Sequence, residues 1–163
     1  MAFYPAWLDL RDRLALLVGG GQVAGRKLVS LLEAGARVRL VAPRLSPETS
    51  AWLPHPRVEH HPRAFAASDL AGVWLAICAT DDQTVNRAVA TACEAARIFV
   101  NVVDVPDLCG FIVPASFRRG ELTVAVSTGG AGPAVARRLR ERLEADFGPE
   151  WGPYLALMRA ARD

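Results

Sequence analysis

A glycine turn early in this 163-residue chain has the residue types and spacing that phosphate binding requires. Gly19-x-Gly21-x-x-Ala24 directly follows the apolar run 14–18 and precedes a segment with helical periodicity. Glycines let the backbone turn tightly and approach a pyrophosphate, while the next helix offers its N-terminal amides and the positive end of its dipole. Between a strand and a helix the pattern is typical of dinucleotide binding, although a plain strand-to-helix turn has the same appearance.

The acidic residue that commonly binds the ribose of such a cofactor is missing. The second predicted strand ends at Val41-Ala42-Pro43-Arg44, with no Asp or Glu where dinucleotide-binding folds place one. Either the ribose is held differently, or Arg44 favours a 2′-phosphate and hence NADP, or Arg44 is a solvated loop residue. The residues alone leave the choice between NAD and NADP open.

Two stretches with acidic residues follow later predicted strands. In Ala79-Thr80-Asp81-Asp82, Thr80 is expected to reach the nicotinamide ribose or an adjacent phosphate, and Asp82 to cap the next helix. Asp104, which follows Asn101-Val102-Val103, is expected beside the nicotinamide ring against an apolar wall, where partial desolvation would suit it to proton transfer. A capping or turn aspartate is the alternative for Asp104.

A fourth feature is basic. Several arginines flank the glycine loop 127–132, and exposed loop amides beside guanidinium groups suit a polycarboxylate or phosphate ligand. An arginine-rich helix is more commonly a solvated face, so both interpretations stay open. The arginines concerned are Arg118, Arg119, Arg137 and Arg138.

The elements that position these residues alternate along the first two thirds of the chain. Apolar runs or polar–apolar alternation predict strands. Helical spacing predicts helices between them, as do capping residues such as Ser46, which precedes Pro47. This order with short links is typical of an α/β, Rossmann-like doubly wound parallel sheet. The predicted strands are 14–18, 37–41, 58–61, 73–79 and 98–103, and the predicted helices are 23–33, 46–53 and 83–96.

The pattern changes after residue 103. Two strands, 111–113 and 122–127, are predicted without a helix between them, followed by a helix over 133–147 and a short helical segment over 151–161. A small α+β region and a short C-terminal helix therefore follow the Rossmann part. The expected division is 1–113, 114–147 and 148–163.

Composition excludes several classes of protein. Hydrophobic residues make up 52% of the chain, which argues against disorder, and a net charge of +2 suggests neither a nucleic-acid nor a membrane-surface partner. The three cysteines lie too far apart for a zinc motif, so no bound metal is expected. Cys78 and Cys93 stand in apolar runs and are expected to be small buried residues of the core. No signal peptide and no membrane-spanning run is recognisable, and we expect a cytoplasmic protein.

Taken together, these motifs resemble the precorrin-2 dehydrogenase family, which includes the N-terminal module of bacterial siroheme synthase. Several separated motifs that agree in order and nearly in spacing are far more specific than a glycine turn alone. The resemblance covers roughly residues 3–147. The matching stretches are 10–13, 18–24 with Arg26-Lys27, 32–36, 79–82, 85–86, 101–104, 111–114, 126–130, 132–133 and 136–137.

The resemblance implies a reaction and a set of site residues. Members oxidise precorrin-2, a polycarboxylate tetrapyrrole, to sirohydrochlorin with NAD as the acceptor, and some also insert a ferrous ion. By this resemblance Asp104 acts as the general base or holds charge during the oxidation. NAD contacts are implied at Gly19, Gly21, Gln22, Val23, Pro43, Arg44 and Thr80, and substrate contacts at Ser127, Thr128, Gly129 and Arg137.

The resemblance also implies a homodimer, with 114–147 as the dimerisation region and a cleft shared by two chains. Family members usually continue well beyond residue 163 with a fuller helical domain, so metal insertion, ferrous or cobaltous, is less supported than dehydrogenation. Two other functions are alternatives. A regulatory module that senses NAD without catalysis commonly keeps the acidic residue after the second strand, and a chelatase alone would not need the glycine turn.

Overall fold

The computed structural model describes residues 3–162, which form two compact units; the first comprises residues 4–111. Its five strands are parallel and run in the order β3-β2-β1-β4-β5, so the predicted Rossmann-like fold is confirmed. The strands are β1 (Leu14–Val18), β2 (Arg37–Val41), β3 (Val58–His61), β4 (Val73–Cys78) and β5 (Phe99–Val102). The helices are α1 (Gln22–Glu33), α2 (Pro47–Ser50) and α3 (Gln83–Ala95), with 3-10 turns at Ala67–Leu70 and Pro106–Leu108.

The central strands are apolar on both faces because both faces are covered. On one face, Leu16 and Cys78 pack in a cluster with Val89 and Cys93 of α3. On the other face, β1 and β2 side chains pack with α1, in a cluster that includes Leu17, Leu28, Leu31, Val38 and Leu40. Strands covered on both faces are typical of parallel sheets, and this packing fixes where the strand ends lie.

The buried cysteines behave as small apolar side chains. Cys78 and Cys93 are fully buried and form no disulfide. Burial raises the pKa of Cys78 to about 12 and that of Cys93 to about 11, so both thiols stay neutral near pH 7. Their expected role as part of the core is confirmed.

The second unit comprises Phe3 and residues 112–162 of the described chain. Strands β6 (Ala115–Arg119) and β7 (Leu122–Val126) form an antiparallel hairpin, followed by α4 (Pro133–Asp146) and α5 (Trp151–Ala160). Among the residues that the structure describes, no helix of either unit has the length and hydropathy needed to cross a membrane.

The strand predicted at 111–113 is wrong, since the first strand of the hairpin is β6. The carbonyl of Phe111 accepts a hydrogen bond from Nδ2 of Asn101 at 3.0 Å, so this backbone closes a loop of the first unit instead of pairing with a strand. Pro114 follows and has no amide hydrogen to donate. An apolar run alone did not distinguish this loop from a strand.

An ion pair holds the segment between β3 and β4. The side chain of Asp69 is 3% exposed and accepts hydrogen bonds from Nη1 of Arg63 at 2.9 Å and from the amide of Ala66 at 2.8 Å. The hydrogen bond from Arg63 lowers the pKa of Asp69; burial opposes this change, and the amide of Ala66 reinforces it. The carboxylate form is therefore the one that the fold stabilises.

We expect Asp69→Asn to lower the free energy of unfolding by about 1–2 kcal/mol at pH 7, a modest loss because Arg63 is partly exposed to solvent. The folded pKa of Asp69 lies below its unfolded value of about 3.9, so its contribution is present above that value and is lost as the pH falls through the folded pKa. Urea unfolding at pH 7 and near pH 3 measures this, with the exposed Asp107→Asn as control. A difference between wild type and Asp69→Asn that is the same at both pH values would contradict the assignment.

Candidate functional site

A cavity of about 770 Å³ lies at the carboxyl ends of the strands in the first unit. The segments that follow β1, β2, β4 and β5 line it. Strand order reverses between β1 and β4, and doubly wound sheets bind their ligands outside the carboxyl ends at such a point. The volume falls within the range of about 300–1,000 Å³ that is typical of cofactor and small-molecule sites.

The glycine turn after β1 packs closely against the backbone after β4 at Gly19 and is open to the cavity at Gly21. Gly19 has a φ of +117°, and a Cβ there would lie 2.1 Å from the carbonyl oxygen of Ala79, so only glycine fits. Gly21 is exposed, and a Cβ built on it would have no heavy atom within 4 Å. The turn therefore presents bare backbone to the cavity.

The helix that starts at this turn is left uncapped. Gly21 is the N-cap of α1, and among the described residues no side chain bonds to the first amides of this helix. By contrast, Ser46 caps α2 and Asp82 caps α3. Free amides at a helix N-terminus, together with the helix dipole, attract an anion. The residues present at this turn therefore fit the pyrophosphate of a dinucleotide.

A buried threonine holds the turn in place. The hydroxyl of Thr49, which is fully buried, donates a hydrogen bond to the carbonyl of Gly21 at 3.0 Å. The amide of Ser46 donates to the carbonyl of Gly20 at 2.7 Å. Thr49 was missed by the sequence analysis. The Ser46-Pro47 pattern predicts where α2 begins, but it does not predict that Thr49 contacts the glycine turn.

Charges along the cavity differ between its ends. Pro43 and Arg44 are exposed in the segment after β2, and Arg63, which sequence reasoning did not place, also lines the cavity. The carboxylates that line it follow β4 and β5 instead, namely Asp81, Asp82 and Asp104. Within the described residues, no acidic side chain of the segment after β2 lines the cavity, as the sequence predicts.

The loop after β4 confirms one of the two roles predicted for it. Oδ1 of Asp82 accepts hydrogen bonds from the amides of Thr84 at 2.8 Å and Val85 at 3.2 Å, so Asp82 caps α3. The hydroxyl of Thr80 accepts a hydrogen bond from the amide of Asp82 at 3.1 Å, and Thr80 lines the cavity. Its predicted contact with the nicotinamide ribose stays a prediction.

Asp104 lines the cavity directly after β5. The amide of Val103 donates to the carbonyl of Cys78 at 2.9 Å, which ties this end of β5 to β4. Asp104 itself has a φ of +61°, a left-handed conformation that Asp and Asn adopt more readily than most residues. Val103 and Val105 line the cavity on either side of it. The carboxylate is exposed, so the residues of this unit do not supply the desolvation that was expected of it.

The remaining predicted site residues lie in the second unit. Ser127, Thr128 and Gly129 share the loop before α4, where Oγ of Ser127 accepts from the amide of Gly129 at 3.1 Å and Oγ1 of Thr128 accepts from the amide of Gly132 at 3.1 Å. Arg137 lies on α4 and is exposed, with its Nε 3.8 Å from a carboxylate oxygen of Glu141. Their contacts with a substrate stay predictions.

Comparison with known proteins agrees with this geometry. A family model described as putative NAD(P)-binding matches residues 6–115, and one described as the central part of a sirohaem biosynthesis protein matches residues 119–146. The solved structure of SirC, a precorrin-2 dehydrogenase, superimposes with a TM-score of 0.83 at 32% sequence identity, which covers 98% of this chain and 79% of that one.

Curated relatives are similar over nearly the whole chain. Siroheme synthase of Thioalkalivibrio sulfidiphilus is 46% identical over 162 residues, which are 99% of this chain and 33% of that protein. Siroheme synthase of Citrobacter koseri is 49% identical over 144 residues, which are 88% of this chain and 32% of that protein. The chain thus spans about a third of the length of the curated relatives it matches.

Proposed function

The chain belongs to the precorrin-2 dehydrogenase family, and from that premise we propose that it oxidises precorrin-2 to sirohydrochlorin with NAD as the acceptor. One observation carries the proposal: the uncapped N-terminus of α1, over the open turn at Gly21, lines the same cavity as Asp104. A dinucleotide site and an acid able to accept a proton thus share one cavity, which oxidation by hydride transfer requires.

The cofactor is held by backbone more than by side chains in this proposal. When bound, NAD supplies the nicotinamide carbon that accepts a hydride. The first amides of α1, from Gln22 and Val23, bind its pyrophosphate. The hydroxyl of Thr80 binds the nicotinamide ribose, and Pro43 and Arg44 contact the adenosine end. The resemblance to the family implies that its members also lack an acidic residue after this strand, so the absence here does not argue against NAD.

Asp104 accepts the proton that the oxidation releases. Precorrin-2 loses one hydride to NAD and one proton to the carboxylate of Asp104, which gives sirohydrochlorin and NADH. Because Asp104 is exposed, it can return the proton to solvent and be ready for the next turnover. Its place directly after β5 sets it among the residues that line the cofactor cavity.

The second unit binds the substrate and forms the dimer in this proposal. Ser127, Thr128, Gly129 and Arg137 contact carboxylates of the tetrapyrrole, with 1–113 as the NAD-binding part, 114–147 as the dimerisation region and 148–163 as the C-terminal segment. Exposed apolar side chains on α4 and α5 support an interface between two copies of the chain. These are Val135, Leu139, Tyr154, Leu157 and Met158.

The test is anaerobic turnover of enzymatically generated precorrin-2. We expect one NADH to form per sirohydrochlorin, with both products followed by absorbance. A reducing buffer, as in the cytoplasm, keeps the free cysteine thiols reduced during the assay. Binding of NAD without oxidation of precorrin-2 would contradict the proposal and favour a sensor. Ferrous or cobaltous ion enters only as a second substrate, so adding either ion after the oxidation tests whether the chain also makes the metallated product.

A further inference from the structure

Lys27 is the only lysine of the chain and lies in α1. Residues four apart share one side of a helix, so Lys27 lies one turn after Val23, which lines the cavity. Side chains on a helix point back towards its N-terminus, which here means towards the cavity mouth. The other edge of α1 faces α2, since Gly25 lies against Thr49 and Arg26 lines a small groove with Trp52.

The ammonium group of Lys27 is partly buried and has no close partner in the part of the chain that the structure describes. It takes part in none of the ion pairs or side-chain hydrogen bonds found within residues 3–162. Burial lowers the pKa of Lys27, the neighbouring Arg26 lowers it further, and Asp104 raises it. The placement of Asp104 near this helix follows from packing, because Val103, the residue before it, packs against the cluster that includes Ala24 and Leu28 of α1.

The charges around Asp104 create a problem for a polyanionic substrate. Asp81, Asp82 and Asp104 line this end of the cavity, and Asp107 follows in the next 3-10 turn. The basic residues that line the cavity, Arg44 and Arg63, come from the segments after β2 and β3. Unless a cation lies beside Asp104, a carboxylate brought there is repelled. Lys27 precedes the buried Leu28 on the edge of α1 that faces away from α2, and it is the cation on that edge.

We propose that the ammonium group of Lys27 binds a carboxylate of the tetrapyrrole beside Asp104 and so holds the reacting part of the substrate at this acidic end of the cavity. The inference rests on the proposed function and names a residue that binds the substrate directly. A partly desolvated ammonium without a partner is costly, and the substrate carboxylate removes that cost when it binds. This makes the interaction stronger than a similar one with a fully solvated lysine.

Lys27→Met removes the charge while keeping an unbranched side chain, and we expect it to raise the KM for precorrin-2 and the Kd for sirohydrochlorin by about 10- to 100-fold. The value of kcat stays within about threefold, because the charge acts on binding. Lys27→Arg keeps a cation and is expected to retain both values within about fivefold. Arg26→Met is the matched control, because it removes a charge from the adjacent residue on the opposite edge of α1. It is expected to leave the KM for precorrin-2 and the Kd for sirohydrochlorin unchanged.

The readouts are steady-state kinetics with precorrin-2, anaerobic fluorescence titration with sirohydrochlorin, and calorimetric titration with NAD. Unchanged NAD affinity in Lys27→Met shows that the variant is folded; if it does not fold, the comparison of Lys27→Arg with Lys27→Gln replaces it. The inference is overturned if Lys27→Met binds sirohydrochlorin with wild-type affinity. It is also overturned if Arg26→Met loses as much affinity for sirohydrochlorin as Lys27→Met does. A wild-type protein that neither binds sirohydrochlorin nor oxidises precorrin-2 overturns the proposed function itself.

Discussion

Asp104→Asn is expected to lower kcat for precorrin-2 oxidation by about 100- to 10,000-fold, the range that loss of a general base commonly produces. Asparagine has nearly the same volume and tolerates the left-handed φ of +61° found at this position, so the backbone has no reason to move. What it loses is the ability to accept a proton. The Kd for NAD, measured by calorimetric titration, is expected to change less than twofold.

The control for this substitution is Asp107→Asn, which removes the same charge from the exposed 3-10 turn that follows Asp104. It is expected to keep kcat within about twofold. Asp104→Ala also stops turnover, but alanine at a positive φ adds backbone strain of about 1 kcal/mol or more, so asparagine separates chemistry from folding more cleanly. Normal turnover of Asp104→Asn would exclude Asp104 as the base.

Much of the first unit was predictable from local sequence because its signals are local. Apolar runs, polar–apolar alternation and one weaker pattern at 58–61 placed all five strands of the sheet to within one residue. Ser46, Pro47 and Asp82 marked helix starts by chemistry that acts within one turn. The glycine turn was recognisable because its neighbours on both sides were already identified. The error at 111–113 has the same origin: the side chain that claims the carbonyl of Phe111 belongs to Asn101, which no local pattern reveals.

The contacts that shape the site join residues far apart in sequence. Thr49 reaches the carbonyl of Gly21 because α2 packs beside α1. Lys27 lies on the side of α1 towards Asp104 because Val103 packs against the cluster that includes Leu28. Neither contact follows from the periodicity of a helix or a strand, so sequence patterns do not reveal it. Cavity-lining Arg63 depends likewise on the path of the segment after β3. Sequence therefore predicted which residues carry the chemistry better than it predicted which residues hold or surround them.

Alanine substitutions at Gly19 and Gly21 are expected to have different effects: the first lowers the stability of the fold, and the second weakens NAD binding. Gly19→Ala places a Cβ 2.1 Å from the carbonyl oxygen of Ala79 at a φ of +117°, so we expect a loss of about 3 kcal/mol or more in the free energy of unfolding. Gly21→Ala meets open space at an ordinary backbone conformation and is expected to cost less than about 1 kcal/mol. Urea unfolding measures both.

Measuring the affinity for NAD distinguishes a variant that has lost stability from one that has lost part of the NAD site. In Gly21→Ala the folded protein is expected to bind NAD about 10- to 100-fold more weakly, because the added methyl occupies the space that the pyrophosphate needs above α1. Gly72→Ala is the control, since its φ of +73° strains the backbone but a Cβ there meets nothing. It is expected to lose stability and keep its NAD affinity. Wild-type affinity in Gly21→Ala would mean that the pyrophosphate does not lie over this turn, and the assignment of the NAD contacts after β1 would have to be abandoned.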